Sequence, residues 1–194
     1  EPLERERYEI SKRTLGAEHP DTLIALGNWC ASLNNLGRTA EAEPLQRERY
    51  EISKRTLGAE HPETLTSKHN LATTLKALGA LDDASRLHQQ VLEARQRTLG
   101  AEHRDTLTSK NELALTLYAI GALEDAKKLQ QEVVEAQQLT LGADHPSTLT
   151  SKSTLASTLK CLSSGMPGVI KASPGLTIER RSRHSSALDS RMDA

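Results

Sequence analysis

The 194-residue chain has no phenylalanine, one tryptophan and three tyrosines, so large aromatic side chains cannot build its interior. A core made under that restriction must come from Leu, Ala, Val and Ile, and the first two are strong helix formers. Excess charge is missing as well. With 25 basic and 26 acidic residues the net charge is −1. No extended basic face exists to displace counterions from nucleic acid, so a nucleic-acid partner is excluded. No apolar run approaches the length of a membrane span, which argues against a membrane partner. Cys30 and Cys161 are the only cysteines. Two unpaired cysteines far apart along a helical chain, with no secretory leader ahead of Glu1, point to a reducing cytoplasm. A first residue already inside a helical pattern suggests a start within a longer protein.

What the sequence has in abundance is itself. Leu-Gly-Ala-Glu-His-Pro stands at 15–20 and 57–62, Leu-Gly-Ala-Glu-His-Arg at 99–104 and Leu-Gly-Ala-Asp-His-Pro at 141–146, an interval of 42 residues each time. Residues 1–20 and 43–62 differ only at Glu4 against Gln46. A constant period means that every unit fills the same space as the one before it.

Each unit divides into two helices. The first is expected at about 21–36, with copies at 63–78, 105–120 and 147–162. Leu23, Leu26, Trp29, Cys30, Leu33 and Leu36 fall on one stripe of the first copy at helical spacing. Trp29 replaces the Leu of the other copies and reads as core. Gly37, Gly79 and Gly121 end the first three copies, and Pro20, Pro62 and Pro146 sit in first turns that can spare a backbone donor. Arg104 breaks that last pattern, predicting a less rigid start. The second helix is expected at about 38–56, 81–98 and 123–140. There Ala42, Ala84 and Ala126 permit close approach, and Leu45, Leu87 and Leu129 fill the groove beside them. Residues 1–15 form a second helix without a first, and 147–162 a first without a second. The expected stack is all-α, with seven long helices over 1–162. Its uncapped ends predict self-association. From Ser163 the periodicity stops, and 163–194 is expected to be a disordered, basic, Ser-rich tail.

These residues carry a resemblance. A helix pair with small residues at the crossing, closed by Leu-Gly-x-x-His-Pro on a 42-residue period, resembles the tetratricopeptide repeats of kinesin light chains. That type carries Asn-Asn-Leu-Ala in its first helix, matched here by Gly27-Asn28-Trp29-Cys30, His69-Asn70-Leu71-Ala72, Asn111-Glu112-Leu113-Ala114 and Ser153-Thr154-Leu155-Ala156. Ala-Glu-Pro-Leu at 42–45 matches the second helix. The resemblance implies a right-handed superhelical solenoid with the first helices lining its concave face. Where the family has Ala in the middle of the second helix, this chain has Arg7, Arg49, Val91 and Val133. The two Arg copies are expected to sit less tightly, or to lay their stems along the surface with heads in water.

At 100° per residue, the side of the first helix opposite its leucines holds Gly27, Asn28, Asn34 and Asn35. Its copies are His69, Asn70, Thr73 and Lys76, then Asn111, Glu112 and Tyr118, then Ser153, Lys160 and Cys161. Asn28, Asn34, Asn35, His69, Asn70, Thr73, Lys76, Asn111, Glu112, Tyr118 and Lys160 are the candidate peptide-binding residues. An Asn amide both donates and accepts, which suits the backbone of an extended, net-acidic partner peptide. The alternative for this face is ordinary solvated polarity.

His19, His61, His103 and His145 lie one repeat apart with no second ligand at metal spacing, and are read as caps of turns or helices. No phosphate loop, nucleophile elbow or carboxylate pair is present, so no catalysis, metal or cofactor is expected. Arg180-Arg181-Ser182-Arg183-His184-Ser185-Ser186 fits a basophilic phosphorylation pattern, a chance match in most polar tails. The leading functional reading is a protein-interaction scaffold. Its alternatives are a sensor array of a nucleotide-binding signalling protein, and a degenerate copy without a ligand.

Overall fold

The computed structural model describes residues 2–164, and the tail expected from residue 163 onward falls outside them apart from Ser163 and Ser164. Eight α-helices make up the described chain: α1 Pro2–Leu15, α2 Pro20–Asn35, α3 Thr39–Leu57, α4 Pro62–Ala77, α5 Leu81–Leu99, α6 Arg104–Ile120, α7 Leu123–Leu141 and α8 Pro146–Ser164. The count is eight rather than seven, because the half-unit at the start is a full helix of its own. Each helix packs against its neighbours in sequence, and α4 also touches α6. Contacts of that kind make a one-dimensional stack in which each unit is stabilised by the next.

The helix starts are set by histidine. His19, His61 and His103 are the N-caps of α2, α4 and α6 in extended conformation. Their Nδ1 atoms accept from the backbone N–H of Asp21, Glu63 and Asp105 at 3.2, 3.2 and 3.1 Å, and His145 accepts likewise from Ser147 at 3.2 Å. Each satisfies a donor that the first turn would otherwise leave orphaned. The cap at Arg104 has the same geometry as those at Pro20 and Pro62. At the other end of α6, Gly121 takes φ +94°, and its N–H closes onto Leu117 and Tyr118 carbonyls.

Helix pairs meet on alanine. Ala42, Ala84 and Ala126 are completely buried, so no larger side chain fits there without moving a helix. Leu26, Cys30 and Leu33 pack with Ala42 and Tyr8, while Trp29 and Leu45 are partly buried against them. Trp29 is thus at the margin of the core, its ring 5.6 Å from that of Tyr8. A second cluster gathers Leu71, Leu75 and Ala84 with Tyr50 and Leu87. Cys30 and Cys161 are both free thiols.

Two exposed ties join successive turns on the outside. Arg55 pairs with Glu18 at 2.5 Å and Arg97 with Glu60 at 2.6 Å, both 37 residues apart. The next copy would join residue 139 to Glu102, but 139 is a Leu, 85% exposed. At the two ends of the described stack, Ile10 and Leu149 are exposed, whereas their internal equivalents Ile52 and Leu65 are buried.

The buried arginine departs from expectation. Arg7 is exposed, but Arg49 is only 7% exposed, with its head away from water. Its guanidinium fills the place that a side chain at residue 27 would occupy, and Gly27 supplies none. Glu63 lies 3.9 Å from it, and burial, partly offset by that carboxylate, lowers its pKa.

Candidate functional site

The four first helices, α2, α4, α6 and α8, bring their polar faces into a row, and three side-chain contacts step from each helix to the next. Asn34 Nδ2 donates to Thr74 Oγ1 at 3.2 Å. Lys76 Nζ donates to Glu112 Oε2 at 2.6 Å. Tyr118 Oη and Cys161 Sγ are hydrogen-bonded at 3.0 Å. Residues 34, 76 and 118 occupy the same place in successive units and form a ladder, although their partners Thr74, Glu112 and Cys161 stand at different places, 40, 36 and 43 residues on. The face is therefore one continuous strip from α2 to α8.

Within the strip, the expected site residues take different roles. Asn28, Asn35 and Lys160 are exposed. Asn70 and Asn111 are half-buried, one unit apart in the middle of the array. Asn34, Lys76, Glu112 and Tyr118 make the ladder and are half-buried by it. The Thr73 hydroxyl turns back to the His69 carbonyl at 3.1 Å. The positive charge that Lys76 brings to this face is opposed directly by Glu112, their side chains 20% and 24% exposed. Burial pushes the Glu112 carboxyl up, yet Lys76 and its hydrogen bond outweigh burial and hold the pKa below the usual carboxylate value. The Cys161 hydrogen bond, assisted by burial, raises the Tyr118 phenol.

His69 departs furthest from the expected outward direction. It packs edge-on against His88 of α5, ring centroids 5.3 Å apart and planes at 65°. His88 is completely buried and neither of its ring nitrogens has a hydrogen-bond partner. Burial lowers both imidazoles, His88 to about 4. Sequence reasoning passed over His88, although a signal was present. It lies four residues after the buried Ala84, on the same side of α5, where the other units place Gln46 and Gln130.

Burial pushes the Cys30 thiol up to about 12, so it is an inert core residue. Among the described residues, no helix is long and apolar enough to cross a membrane, and no three metal-binding side chains come together.

Comparison with known proteins agrees with this architecture. A family model for the tetratricopeptide repeat matches residues 21–97 and 67–138. Two crystal structures of nearly identical TPR-like repeats from a Podosopora anserina protein assigned to the kinesin light chains are similar at 33% identity. They cover 84% of this chain and 77% of that one, with TM-scores of 0.74 for one, a point variant, and 0.73 for the other. BtubC (BKLC) from P. vanneervenii shares the fold at 19% identity and TM-score 0.73, covering 98% of this chain and 79% of its own. No curated protein matches the chain.

Proposed function

Because this chain belongs to the tetratricopeptide repeat family, of the kinesin light chain type, we propose that it holds an extended segment of a partner protein along its concave face. The family fold is a right-handed superhelical solenoid that serves as a protein-interaction scaffold. The finer reading, groove binding, is carried by the ladder Asn34–Thr74, Lys76–Glu112 and Tyr118–Cys161, which makes the polar faces of four helices one strip.

An extended peptide repeats its N–H and C=O groups along its length and needs partners that both donate and accept. Asn28, Asn70 and Asn111 supply such groups from the first helices of three successive units, α2, α4 and α6. The ligand is held chiefly through its backbone. Acidic groups contribute less, since Lys76 is already engaged by Glu112 and Lys160 is an exposed cation worth roughly 0–1 kcal/mol in a surface pair. Self-association belongs to the same proposal, with exposed apolar residues at both ends of the described stack as its support.

A peptide array probed with the whole chain, followed by Asn70→Ala and Asn111→Ala, tests the groove. Each substitution should weaken the selected peptide at least about threefold, the loss of one net hydrogen bond, while leaving the circular dichroism spectrum unchanged. If both variants bind every selected peptide as the parent does, binding lies elsewhere on the molecule.

A further inference from the structure

We propose that His69 and His88 form an acid-sensitive joint at the centre of the array, where adding a proton to either ring opens the junction of α4, α5 and α6. The two rings meet edge to face at 5.3 Å. His88 is wholly buried with both nitrogens unpartnered, and the Nδ1 of His69 is buried without a partner too. A neutral imidazole buried this way leaves one donor and one acceptor unpaired, a cost that the surrounding packing must offset. An imidazolium adds a full charge and two donors that must reach acceptors, and it costs far more.

None of these three nitrogens has a hydrogen-bond partner, and the charged groups around them are engaged elsewhere. Lys76 on α4 and Glu112 on α6 are tied to each other at 2.6 Å. Arg95 on α5 donates to the Asp105 carbonyl and the Ser109 hydroxyl of α6, at 3.1 and 3.0 Å. Lys76 disfavours a proton on both rings and Arg95 on His69, Glu112 favours one on both, and Asp105 favours one on His69. The buried Arg49 of α3 turns instead to Glu63 and Cys30. Lys76 and Glu112 thus balance each other while the rings stay neutral, and a new cation upsets that balance beside the central rung of the ladder. The quickest relief is to admit water, which parts α4 from α5 and strains the Lys76–Glu112 contact.

The other units show that the joint is a local feature. At the same two places they carry Gly27 with Gln46 and Asn111 with Gln130, none of which titrates. The His88 place is Gln in both of those units, and only the second unit makes the two places a titratable pair.

Both rings have folded pKa values lowered below the ordinary 6.5. Between that value and the folded one, the unfolded or opened state binds more protons. For His88 the stabilisation is therefore complete above pH 6.5 and is lost as pH falls towards about 4, and for His69 it is lost in the same direction. Within that window each pH unit raises the opening equilibrium by up to about tenfold per ring. The joint does not depend on what the groove binds.

Thermal unfolding of the whole chain should be followed from pH 4.5 to 7.5 for the parent, His88→Gln and His69→Asn, each variant borrowing the residue of a sister unit. The parent should lose melting temperature steeply below pH 6.5. His88→Gln should lose at least half of that slope, since the remaining histidines are common to both proteins. Parallel curves for all three would overturn the proposal. Should His88→Gln fail to fold at pH 7.5, the His88 Hε1 resonance of the parent decides. Titration near 6.5 refutes the joint, and none above about pH 5 supports it.

Discussion

Gly27 and Arg49 share one side-chain volume: a Cβ on Gly27 would stand 3.0 Å from Cζ of the Arg49 guanidinium and 3.1 Å from its Nη1. The two residues lie on α2 and α3, 22 positions apart. The units that carry Val91 or Val133 instead of Arg place His69 and Asn111 opposite. A large residue on one helix is matched by an empty place on the other, and a small one by a filled place.

That complementarity predicts a non-additive pair. Gly27→Ala should gain about 0.5–1 kcal/mol of helix propensity in an Arg49→Val background, and lose that gain or turn destabilising where Arg49 remains. The four proteins of the cycle, measured by urea denaturation, should show a coupling of about 0.5–3 kcal/mol. Strict additivity would mean that Arg49 simply swings clear of the new methyl group.

The histidine caps make a second test. His61→Ala should cost about 1 kcal/mol, within the usual range of about 0.5–2 for a lost cap, because the Glu63 N–H loses its acceptor. His61→Asn, which can still accept that bond, should restore most of the loss. Equal stability for the Ala and Asn variants would show that the imidazole contributes by packing and not by capping.

The Lys76–Glu112 rung is the third. Glu112→Gln leaves a half-buried ammonium short of its counter-charge and should cost about 1–2 kcal/mol at pH 7. Lys76→Asn with Glu112→Asn uses residues that sister units hold at those places, Asn34 and Asn70, and should recover most of it. The Glu112 carboxyl is held below its ordinary 4.5, so its contribution is present above that value and lost as pH falls below it. Its loss thus begins only at the lower end of the His88 window, which runs from 6.5 down to about 4. A double variant as unstable as the single one would remove the pairing from the account.

Much of the architecture could be read before any coordinates. The helix bounds agree with those expected from Leu spacing, Gly stops and His-Pro starts to within two residues, because those signals act within one or two turns of chain. The buried alanines at 42, 84 and 126 were legible for a different reason: repetition at one period marks a site that every unit uses alike. The candidate face was legible only as a set of positions. That Asn34, Lys76 and Tyr118 reach sideways to the next helix, or that His69 turns inward to His88, depends on crossing geometry that no single helix contains.

By itself, then, the sequence determined the unit: its length, its two helices, its caps and its small-residue crossing, all properties of local spacing and backbone hydrogen bonding. Tertiary structure decided the partners. Arg49 is buried because Gly27 leaves room on another helix, and Lys76 is tied up in an ion pair because Glu112 stands 2.6 Å away in the next unit. Those outcomes turn on volume and charge across interfaces between separate helices, where a residue's neighbours are set by packing and not by its place in the chain.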